Sequence, residues 1–142
     1  MAWTTPRTWV PGELVTANML NVHLRDNMNA LFALIYAPIV TMTDAATVAL
    51  DAALGFVFRL VAAGNRTIAA PSNARSGQKI IVHHLASGGA RTLALTSGTG
   101  GFRFGSDITS LTATASGKTD YIGAVYSDPD SRWDVVAVVK GY

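Results

Sequence analysis

The hydrophobic positions of this chain change their period at Pro38. Before it, Leu20, Leu24, Asn27, Leu31 and Leu34 follow one another at the alternating four-three spacing of a helix seam. Thr16 stands ahead of the run as an N-cap, good helix formers fill it, and Pro38 stops it. The pattern predicts a helix over residues 17–36. After Pro38 the apolar positions alternate or cluster in short runs separated by Gly, Ser and Thr. These predict strands near residues 47–50, 55–62, 67–69, 78–85, 91–96, 108–114, 120–126 and 132–139. In the second of these, Phe56, Phe58 and Leu60 share one face.

Turn residues suggest how the strands connect. Pro71-Ser72-Asn73 and Ser116-Gly117-Lys118 read as turns, and 87–90 and 127–131 as the tips of hairpins. No βαβ spacing and no internal repeat are visible, so a parallel α/β fold is not expected. The expected fold is mainly β. An extended docking arm over residues 1–16 and an amphipathic helix over 17–37 precede an antiparallel, jelly-roll-like β-sandwich over 38–142.

The helix seam carries one polar residue, Asn27. A single polar position in an apolar seam often fixes register and oligomer state, so the helix reads as a self-associating element, a trimeric coiled coil in the first instance. A lone helix packed on the sheet would also show an apolar stripe. In the arm, Trp3 and Trp9 lie among Pro6 and Pro11, which force an extended path. They are either anchors for a partner or residues that fold back on the helix or β-domain.

Composition sharpens the picture. The chain is 49% hydrophobic and 14% charged, so part of its surface is expected to be covered by a partner or by copies of itself. Eleven basic residues against nine acidic are scattered, which argues against nucleic acid as a partner. With no cysteine, disulfides and thiolate sites are excluded. Neither a signal peptide nor an apolar run of about 20 residues is present, so no membrane association is expected.

No chemistry is assembled by motif. His83 and His84 are adjacent on a predicted strand and point to opposite faces, and His23 has no carboxylate one helical turn away, so no metal site is expected. Ser and Asp are plentiful, but no nucleophile-elbow sequence occurs. Asp107, Asp120, Asp128, Asp130 and Asp134 could supply a carboxylate pair, although Asp128 and Asp130 lie in a turn, where Asp is common for backbone reasons, and Asp134 lies beside it. Gly98-Thr99-Gly100-Gly101 lacks the lysine and the following helix of a phosphate loop. The expectation is a protein without catalytic residues or cofactors.

The stretch Thr8-Trp9-Val10-Pro11-Gly12-Glu13-Leu14-Val15-Thr16-Ala17, followed by Leu20-Asn21-Val22-His23-Leu24-Arg25-Asp26-Asn27, resembles the N-terminal segment of small structural proteins of tailed bacteriophages. The second half is similar to the β-domains of phage fibre, spike and head-decoration proteins, through Asn65-Arg66-Thr67-Ile68, Pro71-Ser72-Asn73, Gly77-Gln78, Arg91-Thr92-Leu93 and Phe102-Arg103-Phe104. The resemblance implies a non-enzymatic virion component made in the bacterial host cytoplasm. It would be a homotrimer, docked on capsid or tail proteins as a head decoration, spike or short fibre. Docking and oligomerisation would fall to Trp3, Trp9, Leu20, Leu24, Asn27, Leu31 and Leu34. The alternative is a module that binds a host-surface glycan, with Phe102, Phe104 and Trp133 as the ligand-facing aromatics, beside Tyr121 and Tyr126.

Overall fold

A computed structural model of the chain describes residues 4–36 and 38–142, with the backbone alone for residues 33–36. It divides into a helical unit that ends at Pro38 and a β-unit over Ile39–Tyr142. The helical unit holds α1 (Ala17–Leu20), a π-helical stretch (Asn21–Asp26) and α2 (Asn27–Tyr36). Thr16 is the N-cap, as its position predicts: its hydroxyl accepts from Met19 N at 3.2 Å.

The β-unit is mainly β, and its strands alternate between two sheets. β1 (Ile39–Thr41), β3 (Val57–Ala62) and β5 (Lys79–Ala86) lie parallel in one sheet; β2 (Thr47–Val48), β4 (Arg66–Ile68) and β6 (Leu93–Leu95) lie parallel in the other. Each circuit of the chain therefore adds one strand to each sheet. The first sheet is completed by β7 (Phe102–Arg103), β8 (Thr119–Ser127) and β9 (Arg132–Val139), in the order β1-β3-β5-β8-β9-β7. β8 runs antiparallel to both β5 and β9, and β7 runs parallel to β9.

This corrects the wholly antiparallel expectation. Parallel strands need a crossover, and helices are only the commonest one. Here the crossover is a strand of the opposite sheet. The expected hairpin at 87–90 is absent, because β5 and β6 belong to different sheets. Gly88 and Gly89 instead turn a corner, held by Arg91, whose guanidinium donates to Ser87 O at 3.1 Å and Gly88 O at 3.2 Å. The expected strand at 108–114 is reduced to a single bridge between Arg91 and Thr114. The last hairpin forms as read, with Ser131 at φ 50° in its turn and a bulge at Gly123/Ala124.

The core lies between the sheets. Val40, Phe58, Val82, Ile122 and Val138 stand in one register row across five strands and face Val48, Ile68 and Leu93 of the smaller sheet. Trp133, Phe102 and Tyr126 close one end, with the Tyr126 and Trp133 rings 5.2 Å apart. Gly101 is required where the chain enters β7: a Cβ there would lie 2.4 Å from Thr96 O. Arg103 then ties β7 to β9 through Asp134, at 2.7 and 3.0 Å, and to Asp130 of the turn at 2.8 Å.

The next inward row carries polar groups, Leu60 beside His84 beside Asp120. Thr114 gives its only proton to Asp120 Oδ2 at 2.6 Å, so at 2.8 Å it accepts from His84 Nδ1. Asp120 Oδ1 accepts from Gly141 N at 2.9 Å, and Lys140 Nζ lies 3.5 Å from Oδ2. This network fastens β5, β8, the long 104–118 segment and the end of β9. Burial lowers the pKa of His84; Asp120 pulls it back up and Lys140 pushes it further down.

Protonation is therefore easier in the unfolded chain, where histidine titrates near 6.5. Stability is full above that pH and is lost as pH falls from about 6.5 through the lower folded value. His83, also lowered by burial and by Arg59, adds to the same slope. We expect the urea midpoint to drop between pH 7.5 and pH 5 and the drop to shrink in H84Q. An unchanged drop in H84Q would show that the network is not its source.

Candidate functional site

The arm runs back along the helix, and Asn27 is the reason. Its side-chain amide pairs with the Thr4 backbone in both directions: Thr4 N donates to Oδ1 at 2.9 Å and Nδ2 donates to Thr4 O at 2.8 Å. A strand neighbour would offer the backbone the same pair of bonds. Nδ2 also donates to His23 O at 3.2 Å, while the Asn27 backbone N–H bonds Leu24 O. The side chain thus takes the carbonyl that a regular α-helix would give to the backbone. The π-helical stretch ends at Asp26, directly before this residue.

Two further ties hold the arm. Val10-Pro11-Gly12-Glu13 forms a turn with Gly12 at φ 81° and a Glu13 N to Val10 O bond of 3.1 Å, the backbone a type II turn demands. The Glu13 carboxylate then pairs with Arg7 and accepts from Val10 N at 3.3 Å. Arg7 lies over the Trp9 ring at 5.0 Å, and Trp9 sets its ring edge-on to His23, with centroids 6.4 Å apart.

Asn27 is 5% exposed. It is committed to the arm, whereas the apolar side chains of the seam stay exposed. Leu20, Leu24, Met28 and Leu31 are 43, 49, 69 and 51% exposed, and Leu14 of the arm is 82% exposed. A helix normally buries such a stripe. Trp9 takes the fold-back role only in part, since it remains 40% exposed. Trp3 and the Leu34 side chain lie outside the described residues. The spacing of leucines pointed to Leu20, Leu24 and Leu31. It missed Met28, four residues after Leu24, and Thr4, which has no distinguishing pattern.

The aromatic candidates are placed differently. Phe102 and Trp133 are buried in the core, so neither offers a ring face to a sugar, while Phe104 is half-buried against the core. An aromatic group does occur on the outer face of the large sheet, with half-buried His83 and Tyr121 at 4.3 Å and Tyr121 with the exposed Tyr142 at 5.1 Å. Both contacts are edge-on, with interplanar angles of 62° and 89°. They form no flat platform.

Three of the five candidate carboxylates, Asp120, Asp130 and Asp134, are committed to structure. Asp130 and Asp134 are paired with Arg103, which lowers the Asp130 pKa. Asp120 belongs to the buried network. Thr114, His84 and Asp120 have the composition of a catalytic triad but the wrong order, because a nucleophile's hydroxyl must give its proton to the histidine. All three are buried. A cleft of about 230 Å³ beside β1, lined by Val40, Met42, Leu50, Asp51, Leu54 and Phe58, contains a single acid. Asp51 is occupied by Asn73 Nδ2 at 2.8 Å and Ala53 N at 2.9 Å, which lower its pKa. Among the described residues no group of three or more His, Cys, Asp or Glu side chains could hold a metal.

Comparisons with protein-family models, with curated proteins and with solved structures returned no match.

Replacing Asn27 by leucine, similar in size, strands the Thr4 backbone groups and returns the His23 carbonyl to the helix. The expected cost to the helical unit is about 1–3 kcal/mol. Hydrogen exchange should show the Thr4 amide losing protection, with faster proteolysis before Pro11. Unchanged protection would mean that Asn27 does not hold the arm.

Proposed function

We propose that this is a non-enzymatic structural protein of a bacteriophage particle. It docks through its N-terminal arm and helix and displays the β-unit as a head decoration, spike or short fibre. The observation that carries this reading is the uncovered apolar stripe of Leu20, Leu24, Met28 and Leu31 on a helix whose polar residue is already satisfied. Exposed leucines and methionine at helical spacing fit a helix-in-groove partner or a helix of another copy. A homotrimer joined along this stripe is the form we favour, since avidity then adds to each docking contact.

The residue assignment is Leu20, Leu24 and Leu31 for contact, with Asn27, Arg7 and Glu13 holding the arm in its path. Trp9 stands at the edge of the contact with part of its ring free. Host-surface glycan binding has less support, because two of its three aromatic candidates are in the core. The β-unit's sheets follow a parallel coil closed by a hairpin, which makes a compact knob suited to display. Its charged side chains are largely spent on fastening loops: Arg66 holds Asp44 at 2.6 and 2.9 Å, keeping that carboxyl at about 2.

The double variant Leu24→Asp, Leu31→Asp tests this reading. Both side chains are half-exposed, so the fold should lose no more than about 0.5 kcal/mol. Incorporation into particles should fall at least tenfold in a complementation assay, and the solution mass by light scattering should drop toward one chain. Normal incorporation with an unchanged mass would overturn the docking role.

A further inference from the structure

Arg59 carries a charge that the fold does not use. Arg66, Arg91 and Arg103 are each engaged with a carboxylate or with backbone carbonyls. The Arg59 side chain is exposed, and among the described residues no carboxylate or carbonyl accepts from its guanidinium. It is no guard against strand pairing either, because β3 lies inside the large sheet and β1 is the edge.

Its neighbours make the placement unusual. Thr41, Arg59, His83, Tyr121 and Val139 form one register row across five strands, on the face away from the core. His83 therefore stands directly opposite Arg59, and its ring meets Tyr121 at 4.3 Å, which in turn meets Tyr142 at 5.1 Å. The Tyr121 and Tyr142 hydroxyls have no partner among the described residues. Like charges directly opposite on paired strands destabilise a sheet. Burial first and Arg59 second push the His83 pKa down.

Acids are missing where such a pair would call for them. The row on one side is Ile39, Val57, Ile81, Gly123 and Ala137, and the row on the other runs through Val61, Leu85 and Thr119. Beyond these rows the carboxylates are already engaged: Asp134 with Arg103, and Asp44 with Arg66 and the Ala63 amide. Gly123, two residues along β8 from Tyr121, leaves the surface low beside the cluster.

We infer that Arg59, His83 and Tyr121 form a binding site for an anionic group, a carboxylate or phosphate carried by a ligand. A guanidinium presents a fork of N–H donors matched to two oxygens of such a group. A bound anion offsets the Arg59 charge at His83, and the protonated imidazole offers both its N–H groups as donors. Binding therefore draws a proton onto His83. The groups that face this ring are Arg59 of β3, Tyr121 of β8 and, beyond it, Tyr142; no Asp or Glu side chain acts on it. The edge-on rings provide no stacking platform, which favours a charged group over the face of a neutral sugar. The site is separate from the docking role and uses none of the helix residues.

The experiment is NMR of the full native chain at constant ionic strength, titrated with acetate, methyl phosphate and uncharged methyl glucoside. The His83 ring protons are identified by their loss in His83→Gln. An anion should shift them saturably with a Kd of about 1–10 mM, as suits a single ionic group, and should raise the His83 pKa. The signals of buried His84 should not move. A response to acetate alone assigns a carboxylate ligand, and one to methyl phosphate alone a phosphate ligand; either supports the site. Arg59→Gln removes a side chain that bonds nothing, so the fold should be kept, which circular dichroism checks, and binding should weaken at least tenfold. An equal shift in Arg59→Gln would show an adventitious ion only and overturn the inference. So would an equal response to methyl glucoside, or no saturable shift up to roughly 100 mM anion.

Discussion

Register in the β-unit depends on one row of buried side chains. Strands joined by a hairpin have their register set by the turn. The first six strands here have no such turn, because each returns to its sheet only after visiting the other. What aligns β1, β3 and β5 with one another and with β8 and β9 is the inward row Val40, Phe58, Val82, Ile122 and Val138, stacked side by side across five strands. A slip of one residue would send the whole row outward. The single true hairpin, β8 to β9, closes the sheet, and the buried His84–Thr114–Asp120 network ties the irregular 104–118 segment to it. A polar network inside such a core stabilises only when each bond is made, and here one atom, His84 Nε2, has no partner among the described residues. As the acceptor of a neutral imidazole it costs less than a stranded donor would, which suits the Nδ1–H form that Thr114 dictates.

The helical unit rests on a different device. An arm with Pro6 and Pro11 cannot supply a full set of backbone bonds and has too few apolar contacts to fold by burial. One amide side chain solves both problems by pairing with Thr4 in both directions. The same amide also donates to the His23 carbonyl. The chain thereby uses its one polar seam residue internally and leaves the leucines outside.

Much of this was legible in the residues, for physical reasons. The N-cap at Thr16, the stop at Pro38, the Phe58/Leu60 inner face and the last hairpin follow from local chemistry. The sheet topology does not, because alternation reports which side of a strand is buried and says nothing of which strand lies beside it. A coil whose circuits differ in length leaves no repeat: Ile39 pairs with Val57, and Val57 with Ile81. Asn27 was visible as an anomaly but not its partner, since a backbone acceptor has no sequence signature. Phe102 and Trp133 were ligand candidates only as aromatics, since alternation already pointed most of these rings inward, and both lie in the core cluster.

Charge poverty links these observations. Twenty charged residues in 142 cannot cover the surface of a small domain, and most of those placed well are engaged in fastening loops, as with Arg66 on Asp44 and Arg103 on Asp130 and Asp134. Part of the apolar surface left over is gathered in one stripe, Leu20, Leu24, Met28 and Leu31 of the helix. Scattered apolar residues need no explanation in a soluble chain, but gathered ones carry a standing cost in exposure unless something covers them. A helix stripe suits a groove or another helix.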